Sequence, residues 1–125
     1  CFADVQGYSK FGSYTGNGSA SNGTFVYTGF KPAFVIAKDT SAANNWRLFD
    51  NKRPEFNLVD KLLFPSLSDA ETVNVSGAGA IDILSNGFKI RSSANGLNAS
   101  GSNYIFMCFA ENPFVTSTGV PATAR

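Results

Sequence analysis

Residues Gly29 to Asp50 read GFKPAFVIAKDTSAANNWRLFD. The run Ala33-Phe34-Val35-Ile36-Ala37 is β-branched and aromatic and too short for an independent helix. It is fenced by Gly29 and Pro32 on one side and Asp39-Thr40-Ser41 on the other. A run of that kind marks a strand buried on both faces. Asn45 to Phe49 then alternates, with Trp46 and Leu48 on one face and Arg47 and Phe49 on the other. A hairpin turning over Ser41 to Asn44 is the economical connection.

Outward from this unit the same grammar repeats. Val5 to Tyr14 predicts a first strand, and Thr15 to Gly23, TGNGSASNG, is an exposed loop of turn formers. Thr24 to Thr28 alternates again, Phe25 and Tyr27 opposing Val26. Leu58 to Phe64 reads as a short strand in preference to a helix opened by Pro54. Ser68 and Glu71 have capping-box spacing, which predicts one helical turn within Ser66 to Glu71. Gly77-Ala78-Gly79 is a soft joint before the strongest local signal, Ala80 to Leu84, then Ser85-Asn86-Gly87, then Phe88 to Arg91. Asn-Gly between two alternating runs predicts a tight hairpin with positive φ in the turn. Ser92 to Asn103, SSANGLNASGSN, is a second polar loop. Tyr104 to Glu111, apolar on both faces, is a central strand. The pattern predicts an all-β chain: an antiparallel β-sandwich or jelly roll of about seven or eight short strands. It forms one domain over residues 1–115, followed by a tail, 116–125, with the composition of a linker.

Composition agrees. A chain of 125 residues buries roughly two-thirds of its unfolded surface in one core, so no disulfide framework is required. Twelve Phe and twelve Gly suit a two-layer sheet protein, in which aromatics fill the space between layers and Gly makes the turns. A formal net charge of +1 without a charge block argues against nucleic acid, and no segment approaches the ~20 apolar residues of a membrane span. Cys108 lies in an apolar run and reads as a small buried side chain. Cys1 reads as the start of a piece of a longer chain, with a lipidated N-terminus or a disulfide to Cys108 as alternatives.

The chain has no histidine. This removes Ser-His-Asp and Cys-His catalysis and histidine-ligated zinc, and two distant cysteines cannot make a thiolate zinc site. No strand places two carboxylates at i and i+2, the arrangement of sandwich-fold glucanases, so the expectation is no catalytic residue and no enzyme. Asp39 with Asn44, or Asp50 with Asn51, could ligate calcium, but no loop has the dense oxygen alternation of a dedicated calcium site. Neither a metal nor another cofactor is expected. Asp50 and Arg53 read as a structural ion pair. Sugar recognition needs an aromatic face for the C–H surface of a pyranose and planar polar groups for its hydroxyls. Trp46 with Asn44, Asn45 and Arg47 offers that combination, although a Trp in an alternating strand is also a core residue. The second polar loop adds Asn95, Asn98 and Ser100.

GFKPAFVIAK, NWRLFD, SNGFKIR and NASGSNYIFMCFAENPF occur here in order. In these segments the chain, roughly from Gly7 to Val115, resembles a domain found near the ends of bacteriophage tail-fibre and other virion-surface proteins, particularly of marine phages. It also resembles lectin-like sandwiches of the concanavalin A or laminin-G type. The resemblance implies a virion-surface module that attaches to host polysaccharide or glycan, neighbours other virion proteins, and is trimeric in the fibre. It supplies no ligand identity. A capsid or virion decoration domain with a protein partner is the alternative.

Overall fold

The computed structural model describes residues 2–54, 56–73 and 79–113. Cys1, the joint at Gly77-Ala78 and the tail 116–125 lie outside them.

Among the described residues nine strands pair, all antiparallel. Strands β1 (Ser9–Thr15), β9 (Asn103–Ala110), β3 (Pro32–Asp39) and β4 (Arg47–Asp50) form one sheet in that order. A second sheet runs β2 (Phe25–Tyr27), β8 (Gly87–Ile90), β7 (Ile81–Leu84), and β5 (Lys61–Leu62) pairs with β6 (Thr72–Val73) at the flank. The all-β antiparallel sandwich expected from patterning is therefore the fold, with slightly more strands than expected. Among the described residues no helix is long and apolar enough to cross a membrane.

The two long central strands are the two apolar runs. In β9, Tyr104, Phe106, Cys108 and Ala110 point inward, while Ile105, Met107 and Phe109 lie on the outer face. In β3, Val35 and Ala37 are buried against the second sheet. The layers meet through aromatics: Phe88 of β8 sits edge-on to Phe106 at 5.6 Å and to Tyr14 at 6.3 Å. Such edge-to-face pairs contribute about 0.5–1.5 kcal/mol each beyond the area they bury. Cys108 is a free, fully buried thiol, and burial pushes its pKa up to about 12.

Four local expectations change. The hairpin between β7 and β8 forms, but Leu84 pairs with Gly87, so the turn is Ser85-Asn86 and no non-glycine residue described has positive φ. Gly87 is needed for space instead: a Cβ there would lie 2.1 Å from Val26 O of β2. The Ser66–Glu71 turn is not helical, because Asp69, Ala70 and Glu71 are exposed and give a helix no face to bury. The Leu58–Phe64 strand contracts to β5, flanked by bridges from Val59 to Ile81 and Leu63 to Leu48. Beside it, the Asn57 side chain acts as a strand substitute on the edge of β7, its amide pairing with Ile83 N at 2.9 Å and Ile83 O at 2.8 Å. The one helix among the described residues, α1 (Asn95–Asn98), lies in the second polar loop.

Candidate functional site

At one end of the sandwich Tyr14 and Tyr104 stack, ring centroids 5.0 Å apart, and aim both hydroxyls out of the core at α1. The Tyr14 hydroxyl donates to Leu97 O at 2.8 Å, and the Tyr104 hydroxyl donates to Asn95 O and accepts from Ala99 N. Burial raises the pKa of both phenols, so both remain donors across the physiological range. Leu97, 1% exposed, plugs the opening between the sheets and gives this single turn its apolar anchor.

Asn98 then fastens the two polar loops together. Its Oδ1 accepts from Asn17 N at 3.0 Å and Thr24 Oγ1 at 3.3 Å. Its Nδ2 lies within 3.0 Å of Asn17 Oδ1, Ser19 O and Ser92 O, while its carbonyl accepts from Gly18 N. A Cβ at Gly16 would come 2.3 Å from Ala99 O, so glycine is what lets the loops approach this closely. Loops with the composition of flexible connections are thereby set in one shape, and preorganisation of that kind lowers the entropy lost on binding.

Beside this clasp, the β3–β4 loop turns over Asp39. The carboxylate is 2% exposed and accepts from Ser41 N at 2.7 Å, Ala42 N at 3.2 Å and Asn44 Nδ2 at 2.7 Å. Between this loop and α1 lies a cleft of about 370 Å³, lined by Asp39, Asn44, Asn95, Ala99 and Ser102 among others. The exposed Asn95 amide makes no hydrogen bond to the described residues, so it is open to a ligand.

Of the seven residues expected at a site, the structure brings Asn44 and Asn95 to this cleft. Asn98 is corrected: it is 0% exposed and its amide is fully engaged within the chain. Arg47 is corrected too, since its strand register pairs it with Ala37 and turns it inward. There a Cβ on Gly96 would lie 2.8 Å from its guanidinium carbon, and its Cζ is 6.0 Å from the Phe64 ring centroid. Nε and Nη1 are buried without hydrogen-bond partners among the described residues, and burial lowers the guanidinium pKa against the opposing influence of Tyr14, Tyr104 and Asp39. Trp46, one residue away, faces outward into an apolar groove of about 800 Å³ with Phe2, Phe11, Ile105 and Met107. Asn45 accepts from Ser66 Oγ at 3.3 Å, and Ser100 is exposed without lining the cleft. Asp50 and Arg53 form the expected ion pair, extended to Glu71 at 2.9 Å.

Sequence reasoning named Asp39 only as a possible calcium ligand beside Asn44 and missed Ser102 at the cleft. It also passed over the aromatics that stand in solvent, Tyr27 at 66% and Phe25 at 45% exposure. The alternation around Val26 was their signal, but it gives no indication of which face is wet.

The fold and this loop end define a class: a two-layer antiparallel sandwich whose connecting loops build a small polar cleft. The chain belongs to the family described as a domain of unknown function, DUF7483, whose model matches residues 1–113. No curated protein and no solved structure matches the chain.

Proposed function

We propose that this domain is a virion-surface binding module of a phage tail fibre that contributes to host attachment by recognising carbohydrate. The observation that carries the reading is the loop-end cleft, where Asn44, Asn95 and Asp39 gather on loops fixed by the buried Asn98. Neutral amides and one carboxylate in a shallow, preorganised cleft suit hydroxyl groups, which both donate and accept. The sequence resemblance to phage fibre domains supports the same assignment. In this reading the domain binds without turnover, because glycoside hydrolysis takes two carboxylates and Asp39 is already engaged by Ser41, Ala42 and Asn44. It needs no cofactor, and a trimeric fibre would let several weak sites act together.

The test is retention of the purified domain on bacterial cells and on their extracted surface polysaccharide, beside Asn95→Ala and an Asn44→Ala, Asn95→Ala double variant. Saturable binding that falls at least tenfold in the double variant, with the unfolding midpoint of Asn95→Ala unchanged, is expected. Binding indifferent to both variants would remove the loop-end site.

The apolar groove at Trp46 favours a second reading, a decoration domain seated on another virion protein. Its exposed Phe2 and Ile105 are what such a contact would cover. Tight association with a virion protein and no polysaccharide retention would favour it.

A further inference from the structure

Away from the loop-end cleft, the turn before β1 and the turn after β2 enclose a second cleft of about 440 Å³. Its lining includes Asp4, Gln6, Lys10, Tyr27 and Gly29. Tyr27 is two-thirds exposed and its ring lies over Gly29: a Cβ there would sit 3.7 Å from its Oη and 3.9 Å from Cε1 and Cζ. Gly29 has φ +83°, a backbone conformation that favours glycine. The fold thus sets an aromatic ring beside this turn while leaving it wet.

The polar groups around it have a definite chemistry. Asp4 Oδ2 and Lys10 Nζ lie 2.6 Å apart, and Asp4 Oδ1 accepts from Phe11 N at 2.7 Å. The pair is neutral overall, so the cleft selects neither an anion nor a cation. It places a strong acceptor beside a donor with protons to spare, which is what a vicinal diol needs, since each hydroxyl both donates and accepts. Gln6 is exposed and its amide makes no hydrogen bond to the described residues. Phe25 presents a second exposed ring on the same face of β2, two residues and roughly 6.5–7 Å along the strand.

We infer that this cleft is a second saccharide site, taking a neutral hexopyranose unit on Tyr27 with the Asp4–Lys10 pair and Gln6 on its hydroxyls and the next unit over Phe25. The inference rests on the glycan-binding reading but uses none of the loop-end residues. An aromatic face with an adjacent donor, acceptor and planar amide is the minimal set for a pyranose, and all four are present without rearrangement.

The experiment is a ¹H–¹⁵N NMR titration of the domain with maltohexaose and, separately, laminarihexaose at millimolar concentrations, repeated on Tyr27→Ala, Tyr27→Phe, Gln6→Ala and Asn95→Ala. Shifts at the amides of Gln6, Lys10, Tyr27 and Gly29 are expected. Affinity read at the Gln6, Lys10 and Tyr27 amides should drop at least tenfold in Tyr27→Ala, severalfold in Gln6→Ala, and remain in Tyr27→Phe, while Asn95→Ala should alter only the affinity read at the loop-end amides. Shifts confined to Asn44 and Asn95 would overturn this inference and leave the loop-end site standing. Affinity unchanged in Tyr27→Ala, or no shift with either oligosaccharide, would also overturn it.

Discussion

The two clefts are both polar, but their polar groups are engaged differently. At the loop end most of the amides and the carboxylate are bonded inside the chain: Asn98 to both loops, Asp39 to its own turn and Asn44 to Asp39. In the Tyr27 cleft, Gln6 and the Tyr27 ring face solvent, and the one ion pair there is exposed. A polar residue in a loop therefore marks either a clasp or a contact, and only its partners tell which. The first region is held in shape by hydrogen bonds, the second by strand pairing beneath it.

Breaking the clasp should have the largest effect. Asn98→Ala leaves Ser92 O without a partner in a buried site and Ser19 O and Asn17 N without one in partly buried sites, and a destabilisation of roughly 3–4 kcal/mol is expected by urea unfolding. A loss under about 1 kcal/mol would mean that water replaces the amide and the loops are not fixed by it. The matching attack on the second region is Gly87→Ala. A Cβ 2.1 Å from Val26 O must part β2 from β8, at roughly 2–3 kcal/mol, and should displace Tyr27 without touching it. Tyr27-cleft amide shifts that persist in Gly87→Ala would show that the ring's placement does not depend on the pairing of β2 with β8.

How legible each region was follows from range. The central strands and the β3–β4 hairpin are written in local alternation, and each is where the pattern puts it. Burial on both faces of the Ala33–Ala37 strand is corrected, since Phe34 and Ile36 are only half-buried, and the inward face of β9 was not legible because both of its faces are apolar. The clasp is not local: Asn98 and Asn17 are 81 residues apart, and an Asn among Ser, Gly and Ala carries no apolar period to announce burial. Leu97, the single large apolar residue in SSANGLNASGSN, was the available sign that this loop folds inward. Trp46 and Arg47 illustrate a second limit. Alternation put them on opposite faces, but register against β3 decides which face is core, and a shift by one residue would exchange them. Tyr27 and Phe25 were hidden for the same reason.

Arg47 sharpens the comparison from beneath the loop end. A ligand-reading arginine would lose binding when replaced, whereas one buried with Nε and Nη1 unpartnered is a burden on the fold. Arg47→Met keeps an aliphatic stem and removes the guanidinium that lies near Phe64, Gly79 and Gly96, and with it the desolvated charge. Its stability should rise by about 1 kcal/mol with polysaccharide retention unchanged. A fall in stability accompanied by lost retention would return Arg47 to the binding site.

The smallest effect is a local one, set by pH in the Tyr27 cleft. Asp4 takes hydrogen bonds from Lys10 first and from the Phe11 amide second, and these hold its pKa below the ordinary value of about 3.9. Because the folded-state pKa is the lower one, the contacts are complete above the unfolded value and are lost as pH falls through the folded value. Saccharide affinity at Tyr27 should therefore be flat from about pH 8 to about pH 5 and decline only below about pH 4, in step with the Phe11 amide shift. An Asp4 carboxyl titrating at or above about 3.9 would mean that the pair is open in solution. The acceptor and donor would then no longer be held together for a vicinal diol, and saccharide affinity would lose its link to the Phe11 amide shift.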